Sequence, residues 1–268
     1  MKLAISNIAW NENNDTEMYS MLNNFGFKGI EIAPTRILPL KPYQHLNEIK
    51  KFAAEIQQKY NLSVPSIQSI WYGRTENLFK SVAERQILLD YTKAAIDFAS
   101  FVGAKNIVFG CPRNRNIDTV FNLAETEIKK IAVDFFSELG AYAAAKGVVI
   151  GMEANPAIYN TNFINTTAEA IELVKTVNSD GFRLNLDVGT MLANNENLSV
   201  IKDSIALISH IHISEPWLKA IEPRKIHREL YLLLTKENYN NFISIEMGRT
   251  ENLAELEQAI RYVKGVFS

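Results

Sequence analysis

Residues 3–18, LAISNIAWNENNDTEM, decide between two folds. The first seven, LAISNIA (3–9), have strand character, and the nine that follow contain no glycine. An open doubly wound sheet usually follows its first strand with a glycine-rich phosphate loop. Its absence turns attention to what comes after. Seven more short runs rich in β-branched residues recur along the chain: GIEIA (29–33), VPSIQSI (64–70), NIVFG (106–110), VVIGMEA (148–154), RLNLDVG (183–189), HIHIS (210–214) and FISIEMG (242–248). Between them lie segments with apolar residues three and four apart, such as LNEIKKFAAEIQQKY (46–60) and AERQILLDYTKAAIDFASFVGA (83–104), the period of an amphipathic helix. Thr166 and Thr167 offer an N-cap, and Gly103, Gly140 and Gly147 fall near expected helix ends. Eight strands alternating with eight helices imply parallel strands with helical crossovers. Eight such units in 268 residues predict an α/β protein, a (β/α)8 TIM barrel, as one domain over residues 1–268.

Composition narrows the function classes. Hydrophobic residues make up 47% and charged residues 22%, the profile of a globular protein with a large core. A net charge of −2 argues against nucleic acid as a partner. The lone cysteine, Cys111, allows no internal disulfide and fits a reducing compartment. The opening MKLAISNIAW lacks the apolar run of a secretory signal, and no stretch approaches membrane-spanning length. The expectation is a cytoplasmic protein with no membrane partner; self-association into a homo-oligomer is left open.

In such a barrel, chemistry sits where the strands end. The fifth predicted strand ends near Glu153, the sixth near Asp187, the seventh near His212 and the eighth near Glu246, spaced 34, 25 and 34 residues apart. Each interval is about one βα unit, so four adjacent strands deliver one ligand-type side chain each to a single rim. Three carboxylates so close would repel strongly and would need a cation or raised pKa values. With one imidazole they suit Mn²⁺, Mg²⁺ or Co²⁺, with Zn²⁺ as an alternative. In HIHISEP (210–216) both histidines point to one face of the strand. His210 lies two residues deeper, roughly 7 Å at ~3.3 Å per residue, and reads as a core neighbour rather than a ligand.

GMEANP (151–156), LDVGT (186–190), HIHISEP (210–216) and ISIEMG (243–248) resemble the four metal-ligand motifs of the xylose-isomerase-like TIM barrels. That superfamily of sugar phosphate isomerases and epimerases includes tagatose and psicose 3-epimerases, hydroxypyruvate isomerase, inosose dehydratase and endonuclease IV. KLAISNIAW (2–10) and GFKGIEIAPTR (26–36) extend the likeness to its first two strands. The resemblance implies one divalent metal bound by Glu153, Asp187, His212 and Glu246, with Glu153 and Glu246 as the catalytic acid–base pair. It implies a metal-dependent sugar or sugar-phosphate isomerase or epimerase, in which a proton beside a carbonyl is removed and returned through an enediolate. Two departures stand out. Thr190 replaces the histidine usual three positions after the strand-six Asp, and SEPWLKAIEPRKIH (214–227) lacks the usual early arginine. Four histidines in the whole chain are too few for the three zinc ions of endonuclease IV. The alternatives are an inosose-dehydratase-like lyase on the same scaffold and a non-catalytic sugar-binding barrel.

The expected partner is a small carbohydrate. Arg36, Arg74, Arg113, Arg115, Arg224 and Arg249 all fall in predicted βα loops, which points to an anionic substrate if they are free to pair with it. Candidate substrate-binding residues are Gln68, Trp71, Arg113, Arg115, Asn155, Tyr159, Glu215, Trp217 and His227. Glu31 is expected to be structural, against a buried arginine such as Arg36, and Cys111 to be a small core residue without a matched base.

Overall fold

A computed structural model describes residues 1–268. The strands are β1 (Lys2–Ser6), β2 (Gly29–Glu31), β3 (Ser66–Ile67), β4 (Asn106–Phe109), β5 (Val149–Glu153), β6 (Phe182–Asp187), β7 (Ile208–Ile213) and β8 (Phe242–Ile245). The helices are α1 (Asp15–Asn24), α2 (Pro34–Ile37), α3 (Leu46–Tyr60), α4 (Val82–Val102), α5 (Glu125–Ala145), α6 (Thr167–Val177), α7 (Val188–Ala193), α8 (Lys225–Lys236) and α9 (Leu253–Phe267). Every strand pair is parallel, in the order β2-β1-β8-β7-β6-β5-β4-β3. Single bridges, Gly29 to Ser63 and Ile32 to Ile67, link the β2 and β3 segments and nearly close the cylinder. This is the (β/α)8 barrel expected from the alternation, with α2 as a short turn added before the second crossover helix.

All the strands but β7 are shorter than their apolar runs; β7 starts two residues before HIHIS, at Ile208. In the first run, residues 7–9 leave the ladder as a 3-10 turn, with the Ser6 side chain facing the Ile8 N–H. In the third, Ser69 takes φ +54° and ends the extended stretch. In the eighth, Glu246 lies one residue beyond β8, although its N–H still donates to Ile213 O at 2.9 Å. An apolar run records burial, and burial continues past the last ladder bond because the rim loops fold inward: Ile70 and Met247 are both buried.

Thr166, not Thr167, caps α6; its hydroxyl accepts the Glu169 N–H while the Glu169 carboxylate accepts the Thr166 N–H, a reciprocal capping box. Gly103 ends α4 at φ +86°. Gly140, expected near a helix end, lies inside α5, where its carbonyl faces Gly181 at the start of β6. The barrel carries polar groups at the N-terminal ends of its strands as well, where Asn106 and Ser66 open β4 and β3. Asn106 donates to Ser66 Oγ at 3.0 Å and accepts from Ser209 Oγ at 2.8 Å, so this buried amide is paired through both its nitrogen and its oxygen. The apolar core lies instead between strands and helices, with Phe109, Phe136 and Phe182 in mutual contact.

Candidate metal centre

The four strand-end residues converge at the C-terminal mouth. Glu153 is the last residue of β5, Asp187 ends β6 and caps α7, His212 is the penultimate residue of β7, and Glu246 follows β8. All four are buried, His212 completely. His212 Nδ1 stands 3.0 Å from Glu153 Oε2 and 3.2 Å from Glu246 Oε2. Ligand atoms of these three residues all lie within 4.8 Å of one another. Glu153, Asp187 and Glu246 line a cavity of about 190 Å³ together with Gln68, Ser69, Asn155, Tyr159 and Leu218.

Each carboxylate is oriented by its neighbours. Glu153 accepts from Asn155 Nδ2 at 2.9 Å and from Asn185 Nδ2 at 2.7 Å. Gly110 lets this side chain approach the wall, since a Cβ there would sit 2.9 Å from Glu153 Oε1. Asp187 Oδ1 faces the Ser214 hydroxyl and the Gly189 N–H, and Oδ2 accepts the Thr190 N–H at 2.9 Å. The Thr190 hydroxyl lies 2.8 Å from both Asp187 Oδ2 and Ala154 O. Its one proton can go to either, so donation to Ala154 leaves an Asp187 lone pair for another partner.

Burial, then repulsion from Glu153 and Glu246, pushes Asp187 up to about 7. Burial also raises Glu246, with Glu153 adding to the effect. Burial opposes a charge on His212, yet Glu246 and Glu31 outweigh it and hold the imidazole well above its usual value. The opposing carboxylates therefore call for positive charge between them. His212 Nδ1 is buried with no hydrogen-bond partner despite its two carboxylate neighbours. An orphaned imidazole nitrogen converging with carboxylate oxygens fits a divalent ion, whose donor set here is oxygen-rich with a single nitrogen.

On its other edge, His212 Nε2 faces Glu31 Oε1 at 3.0 Å, and His210 Nε2 faces Glu31 Oε2 at 3.0 Å. Glu31 is therefore not the partner of Arg36, which pairs with Asp15. A sequence offers no range information for a buried carboxylate, and the acid nearest an arginine in the chain need not be its partner. His210 is, as expected, the deeper neighbour.

The structure places four candidate substrate residues outside the cavity lining. Trp71 is buried on the outer side of the barrel, its Nε1 donating to Thr92 Oγ1 at 2.8 Å and its ring against Phe109 and Phe135. His227 is buried on α8 with Nδ1 2.9 Å from the Tyr262 hydroxyl of α9. Glu215 is buried and receives both the Nε and Nη2 of Arg224. Arg115 is fully buried; it donates to the carbonyls of Gly110, Glu153, Phe163 and Ile164 and to Asn155 Oδ1. It thus holds the loop behind Glu153 rather than reaching into the cavity. Arg113 is exposed and outside the cavity lining.

Gln68, Asn155 and Tyr159 do line the cavity. Trp217 is 60% exposed at its edge, its ring against Tyr159 and its N–H donating to the Tyr159 hydroxyl. Burial drives the Cys111 thiol up to about 12, consistent with an inert residue. Sequence reasoning missed Asn185 and Ser214 as carboxylate supports. The signal was present, since each lies two residues from a ligand candidate and so shares its face of the strand.

A family model described as xylose isomerase-like TIM barrel matches residues 20–266. No curated protein matches the sequence significantly. Among solved structures, the chain is similar to D-psicose 3-epimerase from Clostridium cellulolyticum H10, crystallised with D-tagatose (18% identity, 100% of each chain, TM-score 0.77). It is also similar to the 3-keto-D-glucoside 4-epimerase YcjR from E. coli (19% identity, 99% of each chain, TM-score 0.74). A third, the IolI protein with a bound zinc atom, shares 22% identity over 99% of this chain and 96% of its own, with a TM-score of 0.71. At these identities the likenesses speak to the fold.

Proposed function

Given that this chain belongs to the xylose isomerase-like TIM barrel family, we propose that it is a divalent-metal-dependent sugar isomerase or epimerase. The observation that carries the reading is the meeting of Glu153 and Glu246, which line the cavity, with the unpartnered Nδ1 of the buried His212 behind them. Glu153, Asp187, His212 and Glu246 would hold the ion; when bound, it supplies Lewis-acid polarisation of a substrate carbonyl. One of Glu153 and Glu246 takes the proton from the carbon beside that carbonyl, leaving an enediolate. The same or the other carboxylate returns it, to the opposite face for epimerisation or to the neighbouring carbon for isomerisation. Gln68, Asn155 and Tyr159 supply hydrogen bonds to sugar hydroxyls, and Trp217 offers an apolar face at the mouth.

The substrate we propose is an uncharged sugar. Arg36, Arg74 and Arg224 are paired with Asp15, Glu76 and Glu215, and Arg115 is bound within the framework. No lysine or arginine lines the cavity. Four of the six loop arginines that suggested an anion are thereby spoken for by the protein itself, and the other two, Arg113 and Arg249, are exposed and outside the cavity lining.

The test is solvent exchange. Metal-depleted protein, resupplied with Mn²⁺, Mg²⁺, Co²⁺ or Zn²⁺, is incubated in D₂O with a panel of aldoses and ketoses and their phosphates. NMR should show deuterium entering beside the carbonyl of a free sugar, and Glu246→Gln should slow that exchange by ~10²–10⁴-fold. A metal-loaded protein that exchanges no proton on any sugar would overturn the reading in favour of a binding barrel; loss of water from the product would identify a lyase.

A further inference from the structure

The back of the site holds a second layer of buried polar groups that the proposed chemistry does not use. Glu31, at the end of β2, is completely buried. Gln68 Nε2 donates to Glu31 Oε1 at 3.2 Å and to Ser6 Oγ at 2.6 Å. The Glu31 carboxylate, which can only accept, sets the direction of that amide, and the Gln68 Oε1 thereby turned toward the cavity accepts from Ser69 Oγ at 3.1 Å. The two imidazole Nε2 atoms of His210 and His212 complete the surroundings, each 3.0 Å from one carboxylate oxygen. A carboxylate without a proton can only accept. Gln68 Nε2 and His212 Nε2 both stand at hydrogen-bond distance from Glu31 Oε1, an arrangement that suits a carboxylate able only to accept, whereas His210 Nε2, though close to Oε2, makes no hydrogen bond with it.

From this geometry we propose that Glu31 is a positioning residue that sets the tautomer of His212. Glu31 Oε1 accepts the Nε2–H, so the lone pair of His212 is presented at Nδ1, on the side of Glu153 and Glu246. The opposite tautomer places a nitrogen lone pair 3.0 Å from a carboxylate lone pair, too close for a water to stand between them, which is repulsive. Ser69, Gln68 and Glu31 thus form a fixed chain of donors and acceptors from the cavity wall to the far edge of the ligand imidazole. Outer partners of this kind orient a metal-bound histidine and raise its basicity. The inference rests on the metal-centre reading above and adds to it the residue that aims its one nitrogen ligand.

Zn²⁺ is the probe, being diamagnetic and needing no substrate. Zinc titrated into metal-depleted protein by calorimetry reads affinity, and ¹⁵N spectra of the four ring systems read the tautomer. In the zinc-loaded wild type, His212 should keep a slowly exchanging proton on Nε2 while its Nδ1 resonance moves on metal addition. Glu31→Gln, which is nearly isosteric but presents an amide that both donates and accepts, should weaken zinc binding by ~10–100-fold while the circular dichroism spectrum remains that of the wild type. A folded Glu31→Gln that binds zinc within twofold of the wild type overturns the proposal. If that variant does not fold, the wild-type spectrum decides alone: zinc on Nε2, or a proton on Nδ1 in the loaded protein, overturns it. A wild type that binds no zinc, manganese, magnesium or cobalt overturns the metal centre itself, which is a different failure from a wild type that binds them with Glu31 indifferent.

Discussion

Arg115→Met tests how the loop behind Glu153 is held. The guanidinium is fully buried, meets no carboxylate within ion-pair distance, and gives its hydrogens to four carbonyls and one amide oxygen. Ile164 O keeps another donor, the Asn155 N–H at 3.1 Å. Gly110 O, Phe163 O, Glu153 O and Asn155 Oδ1 lose the charged donor. Hydrogen bonds to a charged group contribute about 1.5 kcal/mol or more each, giving roughly 6 kcal/mol gross. Methionine no longer needs a guanidinium stripped of water, which offsets several kcal/mol of that loss. The net expectation is a destabilisation of about 3 kcal/mol. For a chain of this size that lowers Tm by roughly 6–12 °C. Asn155 also loses the contact that fixes its amide direction, so its hydrogen bond to Glu153 is freed, and zinc affinity should fall with stability. Scanning calorimetry of the metal-free and zinc-loaded forms measures both. A variant melting within about 2 °C of the wild type refutes the argument, because the five hydrogen bonds would then do no more than offset the desolvation of the guanidinium.

Two other perturbations probe the scaffold. His227 is held neutral in the folded protein, burial and then Arg224 bringing its pKa down to about 4, whereas the unfolded chain takes up that proton near 6.5; the unfolded state therefore binds more protons between those values, and stability rises with pH across the window. His227→Gln should flatten that part of the profile, removing up to about 3 kcal/mol of the loss between pH 7 and pH 4, as read from chemical denaturation at each pH; an unchanged slope would refute it. Gly181→Ala places a methyl 2.0 Å from Gly140 O and 2.6 Å from Ala144 N, both backbone atoms of α5, and should cost about 3 kcal/mol or more, whereas Gly265→Ala, in open space within α9, should stabilise by roughly 0.5–1 kcal/mol; thermal melts of the pair would refute the packing argument if both moved the same way.

The sequence made the barrel and its ligand candidates readable for one physical reason. Parallel strands buried on both faces appear as short β-branched runs, and a Glu, Asp or His at the end of such a run has few structural excuses. Glu153, Asp187, His212 and Glu246 could therefore be picked out by position. The substrate-binding candidates were harder, because a loop residue carries no periodicity to say where its side chain goes. Trp71 follows β3 by only a few residues, yet the left-handed turn at Ser69 carries it under the rim toward Thr92. Glu215 lies three residues from His212 and still faces Arg224, outward of the cavity. The partners of Arg115 and Glu31 were hidden for the same reason: they lie dozens of residues away or more, Phe163 for one and His212 for the other, and such pairings are set by the closed cylinder.

The pairing of β1 with β8, from Lys2 opposite Phe242 to Ile5 opposite Ile245, ties the order of assembly to the order of synthesis. The first strand made has its second neighbour supplied some 240 residues later, roughly 12–48 s afterwards at ~5–20 residues per second. Until then a growing chain offers a free sheet edge to any passing strand, a hazard that a chaperone would cover. Glu246 emerges one residue behind β8, so the stroke that seals the cylinder also delivers the last carboxylate of the pocket. A nascent chain lacking its final crossover unit would offer the proposed ion three of its four ligands, Glu153, Asp187 and His212, and the complete set forms only once the barrel is whole.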